Sequence, residues 1–499
     1  MKVRSEVLQM SQSYDTIIVG AGSSGCVLAT RLSEDPSHRV LLLEAGPDYL
    51  ERDLPDELAR TGMAASWPHE WGEQVESVRG RRLPYLRGRG IGGSSSTNGC
   101  VAIRPEPADF ESWPRGWQWA DVLPSFRRAE HDLDFPDAPW HGDSGPIPVL
   151  RAPQDDWSPL QSAFYEACLK LGFPECPDHN APETTGVGPI PMNCIDQRRM
   201  SCAVTYLEPA RDRSNLEIRG DAHARRILVE AGRAVGVLLV DGRVFRANQV
   251  VASCGILQSP LLLCRSGIGP ADQLRSLDIE PIVDAPALGS NWTDHMAVTF
   301  ATPIDPALVQ RGGLGLQTIL RTTSESSQRS HDLQITPHTS QTPDGGVELG
   351  VSVSMQQPVG AARIAAVSAD PNARVQIDWP FAGEPHNIER IRWGWRTMAR
   401  IVEESGVSGD PDGVRRSGAM TDAQLDEHIA LEHTAFYHGV GSCAMGESED
   451  SVVDSACRVR GIEGLRVVDT SVVPSVPRSN TNLLAVALAE RVAELMLER

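Results

Sequence analysis

Three glycines, Gly20, Gly22 and Gly25, stand in the order G-x-G-x-x-G within TIIVGAGSSGCVLATRL, residues Thr16 to Leu32. Glycines at that spacing turn the chain tightly, admit a pyrophosphate close to the backbone, and open a helix whose positive end faces it. Glu44 follows about twenty residues later, where a carboxylate could accept the hydroxyls of a ribose. A second stretch, LRGRGIGGSSSTNG from Leu86 to Gly99, is too rich in glycine and hydroxyls for a regular element. Such a loop lets backbone N–H groups crowd a large planar or anionic ligand. His438 lies in FYHGVGSCAMG, where Gly439 and Gly441 leave its imidazole open to a ligand. Taken alone, it reads better as a hydrogen-bonded core histidine. Asn480, Thr481 and Asn482 open NTNLLAVALAERVAELM. All three are good helix N-caps, worth about 0.5–2 kcal/mol.

These residues need elements to hold them. DTIIVG is a short apolar β-rich run, as expected of a buried parallel strand. CVLATRLSED, with Val27, Leu28 and Leu32 at helical spacing, follows Gly25, and HRVLLLEAG reads as a second buried strand ending at Glu44. The order strand, glycine turn, helix, strand makes the glycines a dinucleotide fingerprint. It does not separate NAD from FAD, which share the ADP half. Further on, HDLQITPHT and VELGVSVSMQQ alternate as half-buried strands do. NIERIRWGWRTMARIVEESG reads as an amphipathic helix with a glycine stop.

The 499 residues suffice for two or three units with real cores, and 40% hydrophobic with 22% charged content is ordinary for a globular chain. A net charge of −20 argues against nucleic acid and strongly anionic membranes as partners. It also turns the arginines of the Leu86–Gly99 loop away from an RNA-binding reading. No apolar run approaches the ~18 residues a membrane span needs. MKVRSEVLQMSQS has no apolar signal core and is expected to be a short overhang before the first strand. The ten cysteines are scattered without a C-x-x-C pair, which predicts reduced thiols in a cytoplasmic setting and no metal site.

Several longer stretches then fall in order. They are RGRGIGGSSSTNG, VVASCGILQSPLLLCRSGIGP, PALGSNWTDH, YHGVGSCAMG and GLRVVDTSVVPSVPRSNTNLLAVALAERVAELM. Together the chain resembles the glucose–methanol–choline (GMC) oxidoreductases, a family of FAD enzymes. GWQWADVLPSFRRAE and WHGDSGPIPV add weaker similarity. Ile256 stands where the second signature usually has a small residue, and residues from about 300 to 365 carry no match. The resemblance implies an α/β fold: a Rossmann-like FAD domain built from 1–150, 198–297 and 436–499, and a substrate domain from 151–197 and 298–435. The substrate domain would be an antiparallel sheet backed by helices.

By this resemblance Gly20, Gly22 and Gly25 approach the pyrophosphate, with Ser23 and Ser24 as donors, and Glu44 takes the adenosine ribose. Gly92, Ser94, Asn98, Gly99 and Val101 lie along the isoalloxazine and ribityl side. Ala224 offers backbone to adenine, and Asp469 and Thr470 close over the pyrophosphate and ribityl chain. Thr97 occupies the position where some members attach FAD through histidine, so the flavin is expected to be non-covalent. His438 takes the position of the general base, and an imidazole ionising near neutrality suits that task. Asn480 takes the position of the group that hydrogen-bonds the substrate oxygen. Thr481 and Asn482, at a helix start, would face flavin N1 and C2=O with their N–H groups. His433 has no matching position and reads as structural.

The implied reaction is oxidation of a small-molecule alcohol, with oxygen, a quinone or a redox protein reoxidising the flavin. The same fold also hosts hydroxynitrile lyases and a light-driven fatty-acid decarboxylase. Bleaching of the flavin by substrate separates an oxidase from a lyase, and the decarboxylase branch lacks the base histidine. A flavin-binding module without turnover would keep its FAD oxidised with every alcohol. The stretch Pro303–Gln357, rich in Ser, Thr, Gln and Gly, is expected to line the substrate pocket and to favour a polar or bulky alcohol.

Overall fold

The computed structural model describes residues 13–62, 66–309, 315–342 and 346–497. All but the last residue of the expected N-terminal overhang lies outside them. Tyr14–Val19 forms a strand whose Ile17 and Ile18 are wholly buried. It pairs in parallel with Val40–Leu43 on one side and Val244–Ala252 on the other. Leu216–Arg219 extends the sheet beyond Val40–Leu43, and Leu465–Val467 pairs with the end of Val244–Ala252, both in parallel. Such double-sided parallel pairing suits near-continuous apolar runs. The beginning of Val244–Ala252 pairs instead with Arg233–Leu239, which joins Ala224–Glu230 as an antiparallel extension. The result is a seven-stranded sheet drawn from distant chain segments.

Helices Ser23–Leu32 and Asn482–Leu497 pack against each other beside this sheet. Ser24 Oγ ties them, donating to the Ala485 carbonyl at 2.9 Å. Gly20 has φ of +100°, and a Cβ there would come within 2.5 Å of the Ser253 carbonyl oxygen, so only glycine fits this turn.

A second sheet has six antiparallel strands in the order Thr434–Ala435, Met296–Pro303, Val347–Met355, Leu333–Gln341, Thr318–Thr322, Gly186–Pro189. Helix Pro385–Ser405 lies across one face, so close that a Cβ on Gly394 would sit 2.5 Å from Val353 Cγ1. Gly406, at φ +65°, ends this helix as the expected glycine stop, and Pro385, two residues before the stretch read as helical, opens it. Leu333, Ile335, Val351, Val353 and Met355 fill the core beneath it. The expected alternation is present, but where Leu333–Ile335 faces Val353–Met355 both faces of the sheet are buried. Gln334 and Ser354, on the polar face, are 3% and 1% exposed. That face supports a loop instead of meeting water: Arg321 Nη2 and Gln334 Nε2 both donate to the Arg478 carbonyl, at 3.3 and 3.5 Å.

A hairpin, Gln74–Ser77 with Arg82–Pro84, pairs in parallel through its first strand with Gln376–Trp379, and its Val75 and Leu83 join the second sheet's core. Its continuation is held by Arg89, whose N–H donates to the His69 carbonyl at 2.8 Å. All ten cysteines are unbridged. Among the described residues, no helix is long and apolar enough to cross a membrane.

Candidate active site

Three helix starts meet at one cavity of about 500 Å³: Ser23 of Ser23–Leu32, Gly255 of Gly255–Arg265, and Asn482 of Asn482–Leu497. Free N–H groups and positive dipole ends at such points favour an anion. Ser23 Oγ donates to Asn482 Oδ1 at 2.9 Å, locking two of the starts together. Gly22 faces the space they enclose. A Cβ there would meet only the Ser253 carbonyl oxygen, at 3.9 Å, and would otherwise fill the cavity.

The sequence-predicted residues Gly20, Gly22, Ser23, Ser24, Glu44, Ser94, Asn98, Gly99, Val101, Ala224, Asp469, Thr470, Thr481 and Asn482 all line this cavity, as do His438, Asn480 and Thr97. Gly25 and Gly92 do not. A Cβ on Gly25 would overlap the Gly20 carbonyl oxygen, so this glycine serves the packing of helix on turn. Gly92, at φ +82°, donates its N–H to the Ala21 carbonyl at 2.7 Å and joins the second glycine-rich loop to the first. Both glycines thus stand behind the cavity wall and shape the turns that form it.

Glu44 is 5% exposed, and its oxygens accept three backbone amides: Ala21 and Gly46 at 2.9 Å and Gly90 at 3.0 Å. Burial pushes its pKa up, and these N–H groups pull against the shift. A carboxylate has about four acceptor sites, so Glu44 keeps capacity for a hydroxyl donor. Asp469 accepts from the Gly255 amide at 2.9 Å and from Ser259 Oγ at 2.5 Å, holding the helix start. Asn98 is held from behind, its Oδ1 accepting the Cys100 amide at 3.0 Å.

At the far end of the cavity, His438 Nε2 lies 3.1 Å from Asn480 Nδ2. The Asn480 Oδ1 is buried and has no partner. His438 Nδ1 lies 3.0 Å from His295 Nδ1, and His295 Nε2 donates to the Pro477 carbonyl at 2.7 Å. The His438 backbone N–H donates to Asp294 Oδ1 at 2.7 Å. Burial, with the His295 ring and the Arg87 guanidinium nearby, holds the His438 pKa well below 6.5. His438 is thus more strongly biased to the neutral imidazole than the sequence suggested. His433 lies elsewhere, between the Ile429 carbonyl and Ser77 Oγ and stacked on Trp379.

Sequence reasoning missed Asp294, His295 and Arg87. Asp294 and His295 sit in NWTDH, among the stretches that carry the resemblance, yet nothing in a histidine just before a strand shows what its ring will meet. The pocket wall also differs from expectation. Of the described residues in 303–357, only Leu316 lines the cavity, because the others build the second sheet and its turns. Phe436 and Tyr437, just before His438 in the chain, also line the cavity, and the Phe436 ring meets the His438 imidazole edge-to-face at 5.2 Å.

The family-model description GMC oxidoreductase matches residues 14–297 in its N-terminal part and 358–489 in its C-terminal part. The chain belongs to the GMC oxidoreductase family. An oxygen-dependent choline dehydrogenase of Vibrio vulnificus is 33% identical to this GMC oxidoreductase, over 98% of this chain and 95% of that protein. A 5-(hydroxymethyl)furfural oxidase of Methylovorus sp. is 31% identical, over 97% and 98%. Among solved structures, pyridoxine 4-oxidase from Mesorbium loti superposes with a TM-score of 0.86 at 29% identity, covering 98% of this chain and 100% of that one. This GMC oxidoreductase is an FAD-binding enzyme, and the cavity fits FAD: it joins an anion site at three helix starts to a carboxylate and to a histidine–asparagine pair.

Proposed function

We propose that this chain oxidises an alcohol to a carbonyl compound with His438 as general base and FAD held without a covalent bond. The observation that carries the reading is the His438 Nε2–Asn480 Nδ2 pair, 3.1 Å apart in the wall of the dinucleotide cavity. When bound, FAD supplies the acceptor for the hydride that leaves the alcohol carbon. The alcohol hydroxyl approaches His438 Nε2, which takes its proton. The Asn480 amide N–H, at present aimed at that nitrogen, donates to the alcohol oxygen and steadies the charge that grows on it. Thr97, in the cavity lining, has no imidazole nitrogen to form the histidyl link.

The relatives' names, a choline dehydrogenase, a 5-(hydroxymethyl)furfural oxidase and a pyridoxine 4-oxidase, support an alcohol as substrate. The division into a dinucleotide unit of 1–150, 198–297 and 436–499 and a substrate unit of 151–197 and 298–435 is supported by the segments from which the two large sheets draw their strands, except that the hairpin Gln74–Pro84 pairs and packs with the substrate unit. Val101, Leu316, Phe436 and Tyr437 make an apolar, aromatic wall in the same cavity. An alcohol panel should therefore include aryl-methyl alcohols beside polar ones. The test is anaerobic mixing of the purified flavoprotein with that panel, followed by air. Bleaching of the flavin absorbance by at least one alcohol is expected. Persistent oxidised flavin with every alcohol would reject the reading, and recovery of colour in air would identify oxygen as an acceptor.

A further inference from the structure

We propose that His295 is a positioning residue that fixes His438 in the tautomer whose Nε2 lone pair is free to take a proton. The argument follows hydrogens along a chain of three groups. A carbonyl oxygen can only accept, so the Pro477 carbonyl, 2.7 Å from His295 Nε2, requires a hydrogen on that nitrogen. His295 is wholly buried, and burial pushes its pKa down to about 4, so the ring is neutral in the ordinary working range. Its Nδ1 is then a bare acceptor. His438 Nδ1 stands 3.0 Å away and must bring the hydrogen for that contact. A neutral His438 protonated at Nδ1 has its lone pair at Nε2, the atom beside Asn480.

The same chain orients Asn480. An Nε2 lone pair calls for a donor, so the amide N–H₂ faces His438 at 3.1 Å and Oδ1 turns to the buried place where it has no partner. When Nε2 takes a proton, Nδ1–H still donates to His295, so the contact that sets the ring is unchanged, and only the Asn480 N–H turns from Nε2 to the alcohol oxygen. Pro477 and Asn480 lie on one loop, so the anchor of the His295 ring and the partner of His438 move together. The Pro477–Asn480 loop is in turn braced by Arg321 and Gln334 through the Arg478 carbonyl. Asp294, the preceding residue, holds the His438 backbone N–H at 2.7 Å. Two consecutive residues thus set the backbone and the ring of one histidine.

This inference deepens the alcohol-oxidation reading and rests on it for its effect on rate, but the tautomer can be read without turnover. The experiment is ¹⁵N NMR of the histidine-labelled holoenzyme, with the His438 signals identified by their loss in His438→Gln. The parent should show His438 protonated at Nδ1 and bare at Nε2. His295→Phe keeps an aromatic ring, one atom larger, and removes both nitrogens. It should move the hydrogen to Nε2 and slow anaerobic flavin reduction by about 10²–10⁴-fold, the range that general-base catalysis supplies. His295→Asn places an acceptor oxygen where Nδ1 was, and should restore the tautomer and most of the rate. A parent His438 protonated at Nε2 would overturn the proposal, and this needs no variant to fold. So would a folded, FAD-loaded His295→Phe with the parent tautomer or the parent rate. A folded His295→Asn that restores neither would assign the loss to packing and overturn it too. If the tautomer is as expected but no alcohol bleaches the flavin, the positioning stands and the oxidation reading fails.

Discussion

Asn480 Nδ2 and His438 Nε2 are 3.1 Å apart although 42 residues separate them in the chain. Each side chain has one face on the dinucleotide cavity. Their roles differ, because one can carry a proton and the other can only donate and accept hydrogen bonds. His438→Ala should therefore fold and keep its FAD, yet reduce it about 10²–10⁴-fold more slowly with any alcohol the parent accepts. Asn480→Ala should lose less. Rapid-mixing absorbance under anaerobic conditions measures both, and a parent-like rate in His438→Ala would make His438 structural.

The pH dependence follows from the sign of the His438 shift. Its protonated form is inactive as a base, and burial holds its pKa well below 6.5. The rate of flavin reduction should therefore be flat through neutral and alkaline pH and fall only in acid. Asp294, pushed up to about 6 by burial, is the other nearby ionisation. A limb near pH 6 that vanishes in Asp294→Asn would transfer control of the profile to Asp294.

Glu44→Ala should weaken FAD binding by about 1.5–3 kcal/mol, the value of charge-assisted hydrogen bonds, while the bound flavin keeps its spectrum. The structure adds a second effect. Because Glu44 also accepts the amides of Ala21, Gly46 and Gly90, the FAD-free variant should melt earlier than the FAD-free parent. Titration with FAD and thermal denaturation separate the two, and parent-like affinity would remove Glu44 from the binding site.

Two glycines of one fingerprint should behave in opposite ways. Gly22→Ala puts a methyl into the cavity and nowhere else, so the variant should fold with near-parent stability and hold FAD weakly. Gly25→Ala drives its methyl into the Gly20 carbonyl, which is backbone and cannot yield cheaply. That variant should lose stability before binding is ever tested. Circular dichroism melting with FAD titration checks the pair, and equal behaviour would contradict the assignment.

Acid or heat denaturation of the purified yellow protein should release all of its flavin to the supernatant. The basis is Thr97 at the attachment position. Flavin remaining in the precipitate would contradict it.

Local rules made the first sheet readable. Ile17, Ile18 and Leu41 to Leu43 are apolar because both faces of a parallel strand are covered, and Gly20 is glycine because its backbone angle excludes other residues. The fingerprint and Glu44 are close in sequence, so spacing alone places them at one strand–turn–helix unit. The long helix Pro385–Ser405 carries its own start and stop. Alternation in Leu333–Gln341 and Val347–Met355 likewise announced two strands, since side chains of a pleated chain point to opposite faces.

Contacts between distant segments were not written in any local pattern. Alternation could not tell that the polar face of the second sheet would be buried, because the Arg478 carbonyl that needs its donors arrives from about 140 residues later in the chain. Nor could spacing tell which glycines line a cavity and which only pack, as Gly22 and Gly25 show. The sequence by itself determined the dinucleotide turn and the family, and through the family resemblance it singled out His438 and Asn480 as candidates. Only the tertiary structure decided their environment: it buried His438, set His295 against its Nδ1, and anchored His295 on the Pro477 carbonyl. The physical reason is that protonation state and tautomer depend on the groups within hydrogen-bond reach in space, and those groups come from strands and loops that only folding brings together.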